Sequence, residues 1–470
     1  MNILRYLTHV PKSLHVDMKE IVVLFIALVI RIICFLISEP WNTSVFNEQI
    51  IYGDSKSYLH LAEGISAGNL SEVLDPKRTL GYPIFIASVF SFTEDSFVAL
   101  IITQILLDLG TVFFIMRIGA QIHQSKTVPF FGGLVYSLSI FAAIACITVL
   151  SETLFVFLFT FGTYVLIKSI HKPGFFRIIL FGLITGLCTT IRPVNFYYTP
   201  IIFVLFMIIL QTPIKKRILY CFVASATVFV VLLPSFMINN HQYGHFKLTT
   251  IQDHNLFFYN VPFSIHSATG EPIQSIRNRM QKKITNLGDE FLMAKEQRSL
   301  AINYIKENPG DYTKTHLKGV INMFIGIEKG AILYELLDLE YPSDPSIYLY
   351  GTFEGLSDRL DRVIRDIGQE FFLTPILGTK LLLEYILLTV GTAVALRSKR
   401  SRLYALIMIG TILYFSAAIG AVGYPRYKIP LIAIYAPIVG LGFTVAWDQI
   451  LNRYYSLSTT LYNGGTRSGL

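Results

Sequence analysis

What most limits this chain is a succession of apolar runs, each long enough to cross a lipid bilayer, separated by polar loops. A spanning helix needs roughly 20 mostly apolar residues. Runs of this kind cover 21–38, 97–116, 128–150, 153–167, 175–191, 194–210, 218–238, 371–396, 403–422 and 429–447. Inside hydrocarbon the backbone must satisfy its own hydrogen bonds, so such runs fold as helices. The expectation is an all-α polytopic membrane protein with about ten transmembrane helices. Charged residues make up only 15% of the chain, against roughly a quarter in soluble proteins. The apolar stretch 80–92 is shorter, and is predicted to be re-entrant or interfacial. Stretch 313–337 is ambiguous for the same reason, and a lone crossing there would put a basic loop on the wrong side.

The formal charge of +8 is not spread like a nucleic-acid surface. Lys and Arg concentrate in alternate short loops: Arg5, Lys12 and Lys19; Arg117 and Lys126; Lys168, Lys172 and Arg177; 215–217; 397–402. Positive loops stay on the cytoplasmic side and also meet anionic headgroups. Both termini are therefore predicted to be cytoplasmic. The polar N-terminal stretch has no small-residue cleavage site after its apolar run, so that run reads as a signal anchor. The expected organisation is a membrane module over 1–238 carrying a first external loop, 39–95. An external segment, 239–370, follows, and then a second membrane module with a cytoplasmic tail over 371–470. The segment is polar, with helical patterning around 273–306, and too small to be a separate enzyme. Cys34, Cys146, Cys188 and Cys221 all lie in apolar runs and read as small core residues.

The polar groups suited to chemistry fall on the external side. Asp54 stands before an amphipathic stretch, where a carboxylate could take a proton from a hydroxyl nucleophile or simply cap a helix. Arg78, Arg192 and Arg426 reach the same face, and a planar guanidinium matches phosphate oxygens. Glu152 opens a helix there, as a second catalytic or metal-binding carboxylate or as a favourable acid at a helix N-terminus. Arg31 and Asp108 lie within spans, where an unpaired charge is expensive, so an ion pair between them is expected. A functional alternative puts Arg31 on a phosphate. Glu384 has no evident role. His241, His245 and His254 have no dependable metal-ligand spacing and read as solvated loop residues.

Asp54, Tyr58 and Ala62 at four-residue steps, followed by Arg78-x-x-x-Tyr82-Pro83, resemble the GT-C glycosyltransferases. More narrowly they resemble the superfamily of protein O-mannosyltransferases and lipid A aminoarabinose transferases. Stretches 151–155, 182–193, 308–312 and 423–430 are similar to further motifs of that group, so the resemblance runs along nearly the whole chain. It implies transfer of a sugar from a polyprenyl-phosphate donor to a hydroxyl of a lipid or cell-envelope glycan, usually with inversion, in the bacterial cytoplasmic membrane. Asp54 would be the general base. Arg78, Arg192, Arg426 and Arg31 would hold the donor phosphate, and Tyr58, Tyr82, Asn255 and Tyr427 the sugar or acceptor. The group's metal dependence varies, which leaves room for a divalent metal without requiring one. Ser55 stands where protein mannosyltransferases tend to carry a Glu after the Asp, a departure that weighs against a protein acceptor. A flippase for a lipid-linked sugar is the alternative from another class, although the polar residues gather at one face rather than mid-membrane. A protein O-glycosyltransferase of the same fold is the other.

Overall fold

The computed structural model describes residues 17–44, 46, 50–210, 212–284, 288–337 and 373–464, with side chains to 450 except at 333 and 334. Every regular element among them is helical. Arg5, Lys12, the end of the external segment (338–370) and the tail beyond 464 lie outside the described residues. In chain order the helices begin with α1 (Met18–Ser38), α2 (Ser55–Ala67), α3 (Gly81–Phe90), α4 (Phe97–Ile122), α5 (Thr127–Ser137) and α6 (Ile140–Ile147). Next come α7 (Glu152–His171), α8 (Phe175–Ile191), α9 (Val194–Ile209), α10 (Ile214–Tyr243), α11 (Ile251–Asn255) and α12 (Val261–Thr269). The series closes with α13 (Ile273–Gln281), α14 (Glu290–Glu307), α15 (Pro309–Ile325), α16 (Leu373–Arg397), α17 (Arg402–Ile419) and α18 (Ile429–Gly464).

Seven of these helices are long and apolar enough to cross a membrane, eight if α5 and α6 count as one bent span. The chain is therefore a multi-pass membrane protein. Two of the expected spans, 175–191 and 194–210, are α8 and α9, shorter apolar helices of 17 and 16 residues. A third, 128–150, is two helices bent by 58°. The bend falls at Ser137–Ser139, and buried groups satisfy the backbone it releases. Ser137's carbonyl accepts from Arg31. Glu328 accepts from the Ile140 amide at 2.9 Å and from the Ser139 hydroxyl at 3.0 Å. A break at membrane depth is tolerable only when its backbone groups find such partners. Stretch 80–92 forms the short α3, as expected of an interfacial piece.

Small residues set the helix spacing. Gly391 of α16 faces the Ile438 carbonyl of α18, and Gly442 of α18 faces the Leu387 carbonyl of α16, with no room for a Cβ at either. Close backbone approach of this kind stands in for the hydrophobic drive that lipid removes between membrane helices. Outward residues such as Phe25, Val204, Phe222 and Leu413 present the apolar surface that lipid tails solvate. The expected ion pair is present: Arg31 Nε donates to Asp108 Oδ2 at 2.8 Å, and the Tyr136 hydroxyl donates to Asp108 Oδ1 at 2.8 Å. Glu384 accepts from the Tyr435 hydroxyl at 2.5 Å and so has a structural partner.

Helices α11 to α15 form a cap over the end of the bundle to which α1 and α10 run. Its small core is built on Phe257, Val261, Ile276, Met280 and Ala301. The cap is tied to the first loop where the Thr250 amide and the Thr249 hydroxyl both donate to the Pro76 carbonyl at 2.9 Å. It is tied to the turn before α18 by paired glycines. Gly423 (φ +51°) lies so close to the Gly319 backbone that a side chain on it would collide.

Candidate active site

Asp54 follows Gly53, whose φ of +56° makes a turn that residues with a Cβ rarely adopt. Although Asp54 immediately precedes α2, its carboxylate makes no capping hydrogen bond to that helix. Instead Oδ1 accepts from Arg78 Nη2 at 2.6 Å, and the side chain stays 49% exposed. A carboxylate that caps a helix spends its lone pairs on backbone amides; this one keeps an oxygen open to an incoming group. The Arg78 guanidinium stands 5.4 Å from the centre of the Tyr58 ring. Burial would push Arg78 down, but the Asp54 charge outweighs it and holds the group above its ordinary value. Tyr58 is pushed up, first by burial and then by Asp54. Tyr58 packs edge-on against Tyr82, with ring centres 5.0 Å apart.

Tyr82 is fully buried, and its hydroxyl donates to Gln104 Oε1 at 2.9 Å. The Gln104 amide in turn donates to the Cys146 and Thr148 carbonyls at 3.0 and 2.9 Å, at the end of α6. Tyr82 therefore supports Tyr58 from below; with no exposed surface it cannot touch a sugar or an acceptor. Arg31 is corrected likewise. It has no exposed surface and is committed to Asp108 and the Ser137 carbonyl, so a donor phosphate does not reach it.

A second carboxylate stands beside the first group. Glu152, the first residue of α7, is buried and faces Arg192 Nη1 at 3.0 Å and Arg426 Nε at 3.8 Å. Arg192 comes from the end of α8, where Pro193 interrupts the helix and turns the chain into α9. The Arg78 loop is seated on that end of α8: Thr79 Oγ1 donates to the Ile191 carbonyl at 3.4 Å, and Gly81 abuts the Thr190 carbonyl. Arg426 lies on the one-turn helix Pro425–Lys428, with its guanidinium 6.0 Å from the Tyr52 ring centre, 5.1 Å from Tyr424 and 5.9 Å from Tyr427. Its Nη1 donates to the Tyr52 hydroxyl at 3.3 Å. Glu335 accepts from the Tyr424 hydroxyl at 2.7 Å and from Tyr52 at 3.3 Å. The Nε atoms of both Arg78 and Arg426 are buried yet make no hydrogen bond.

Asp54, Arg78, Tyr58, Glu152, Arg192, Arg426 and Tyr427 are thus brought together from five stretches of chain. Asn255 is not: it is exposed at the end of α11, with no hydrogen bond to these groups. Tyr52, Tyr424 and Glu335 belong to the site and were not anticipated. The histidines do not converge. His245 pairs with Asp289 at 2.8 Å, and His254 packs 4.6 Å from the Phe258 ring. Burial and then Lys77 and Arg78 push His254 down to about 4, so it is a neutral, packed ring rather than a solvated one. Among the described residues no three His, Cys, Asp or Glu side chains gather to hold a metal ion. Asp54 and Glu152 each face guanidinium groups, a set that suits an anion better than a cation.

Comparison with protein-family profiles gives no match, and comparison with curated proteins gives none either. Among solved structures, the chain is similar to the archaeal oligosaccharyltransferase AglB from Archaeoglobus fulgidus in complex with an inhibitory peptide and a dolichol-phosphate. The TM-score is 0.49 and the identity 11%, over 94% of this chain and 52% of that one. A second structure, the Archaeoglobus fulgidus oligosaccharyltransferase tethered to an acceptor peptide, gives 0.49 and 12%, over 93% and 50%. The chain spans about half the length of these proteins.

Proposed function

We propose that the chain is a GT-C glycosyltransferase that moves a sugar from a polyprenyl-phosphate carrier to a hydroxyl of a lipid or cell-envelope glycan, at the outer face of a bacterial cytoplasmic membrane. The observation that carries the reading is the half-exposed Asp54 carboxylate, paired with Arg78 and standing beside two arginines on Glu152. That arrangement offers one base with an open oxygen and three guanidinium groups in the same cluster. In the proposed step the acceptor hydroxyl oxygen bonds to the anomeric carbon as Asp54 takes the hydroxyl proton. The bond from that carbon to the phosphate oxygen breaks, and the phosphate leaves with the electron pair. Arg192 and Arg426, with the unbonded Nε of Arg426 and of Arg78, stabilise the charge that develops there. Glu152 positions the two arginines. Tyr58 and Tyr427 flank the sugar. No step calls on a metal.

The test is a transfer assay on purified protein with polyprenyl-phosphate sugars, comparing wild type with Asp54→Asn. General-base catalysis is worth about 10² to 10⁴ in rate. Wild type should release polyprenyl phosphate, and a normally folded Asp54→Asn protein should be at least about 10²-fold slower. An intact donor, together with labelled lipid-linked sugar crossing vesicles that hold the protein, would make it a flippase. Glycan appearing on periplasmic peptides would move the acceptor to protein.

A further inference from the structure

Beside Arg78, on the cap side, lies a surface that the proposed chemistry does not use. Helix α11 runs into a π-helical turn, Leu256–Asn260, an arrangement that often marks a functional site. Phe257 points into the cap core, while Tyr259 is 39% exposed. Arg277 of α13 reaches back to this turn: its Nε donates to the Phe258 carbonyl at 2.8 Å, and its guanidinium lies 4.8 Å from the Tyr259 ring centre. Among the described residues Arg277 has no acidic partner within ion-pair distance. His254 stands between this pair and the first loop, close enough to feel Lys77, Arg78 and Arg277, with Asp75 acting the other way. Lys77's own acid, Glu290, is 3.8 Å away, and both side chains are more than a third exposed, so that pair is weak.

These groups set an exposed tyrosine ring, 6.2 Å from the His254 ring and tilted to it by 63°, beside cations, with His254 linking it to Arg78. We infer that His254, Tyr259, Arg277 and Lys77 form an acceptor subsite for an anionic saccharide, one bearing carboxylate or phosphate groups. The inference rests on the glycosyl-transfer reading for the word acceptor. Sugar rings lay their apolar faces on aromatic rings. An arginine whose guanidinium stands 4.8 Å from a tyrosine ring centre, with its Nε already used, presents its two remaining nitrogens to a carboxylate or phosphate. The exposed tyrosine ring favours a saccharide over an acidic peptide.

The experiment is direct binding to the full chain in lipid nanodiscs, with no donor present. The probes are tetragalacturonate, a phosphorylated pentamannose, uncharged maltotetraose and tetraglutamate. At least one anionic saccharide should bind at least tenfold more tightly than maltotetraose. Arg277→Gln and Tyr259→Ala should each weaken it at least tenfold, with Arg277→Lys in between. Arg279→Gln, on the same helix but bound to Glu271, is the folding control and should bind as wild type does. Equal affinity for maltotetraose, no saturable binding of either anionic saccharide, or no effect of Arg277→Gln would overturn the subsite. Tetraglutamate binding as tightly as tetragalacturonate would overturn it in favour of a peptide. Because binding is read without turnover, its failure removes the subsite alone, whereas a failed transfer assay removes the enzyme reading.

Discussion

At the scale of single residues, the molecule keeps its charges in two very different settings. At the bundle end they face one another in a cluster in which Asp54, Arg78, Arg192 and Arg426 are partly exposed and Glu152 is buried. In the interior, Arg31 and Asp108 have side chains 0% and 2% exposed. A buried pair adds little over a well-packed apolar pair, but removing one partner strands the other and costs about 3–5 kcal/mol. Asp108→Asn should therefore lower the thermal midpoint of the detergent-solubilised protein clearly. Asp108→Leu combined with Arg31→Met should recover the part of the loss that belongs to the stranded charge, but not the part due to the Ser137 carbonyl and the Tyr136 hydroxyl, which lose their partners. An Asp108→Asn protein as stable as wild type would refute the account. This pair was legible in sequence because a charge inside a span demands a partner. Asp54, Arg78, Glu152, Arg192 and Arg426 were legible because few polar groups reach that face. Tyr52, Tyr424 and Glu335 were not, since tyrosines are ordinary at membrane surfaces and the Tyr52–Glu335 bond joins residues 283 apart. Tyr82 and Arg31 misled because order along a helix does not reveal which side of it is covered.

At the scale of elements, apolar patterning located the helices and missed how they are interrupted. Nothing in 128–150 breaks a helix as Pro or Gly would at its middle; the break at Ser137–Ser139 persists because Arg31 and Glu328, far away in sequence, receive its backbone groups. Long-range partners of this kind leave no local signature. The same holds for the turn before α18. Its Arg-Tyr motif was visible, but the Gly319–Gly423 contact that seats it on α15 was not. That contact makes a sharp prediction. Gly423→Ala adds a methyl both at positive φ and against the Gly319 backbone, so the turn must move and carry Arg426 away from Glu152. Transfer should fall at least about tenfold, the size of effect that a small misplacement in an active site produces. Gly310→Ala, on the same α15 but facing open space, should leave the rate unchanged. Equal rates in the two variants would show that the turn does not depend on the glycine contact.

At the scale of the whole molecule, the site and the basic loops occupy opposite ends of the helices. Asp54, Glu152, Arg192 and Arg426 sit where α1, α8, α10 and α17 finish and where α4, α7 and α18 begin. Lys168, Lys172, Arg177, Lys215 and the run 397–402 sit at the other ends of these helices or their neighbours. Positive loops are retained on the cytoplasmic side, and this separation is what supports the proposed outward-facing site. In that proposed orientation a nucleotide-activated sugar would be on the wrong side, which is the reason for proposing a donor carried on a lipid phosphate. Sidedness is measurable by cysteine labelling, after replacing Cys34, Cys146, Cys188 and Cys221, of which the first three are buried. Lys282→Cys, exposed on the cap, should react with a membrane-impermeant maleimide in intact cells. Lys399→Cys, exposed in the basic loop, should react only after permeabilisation. The reverse pattern would put Asp54 in the cytosol and remove the reason for a lipid-phosphate donor, even if the protein still transferred sugar.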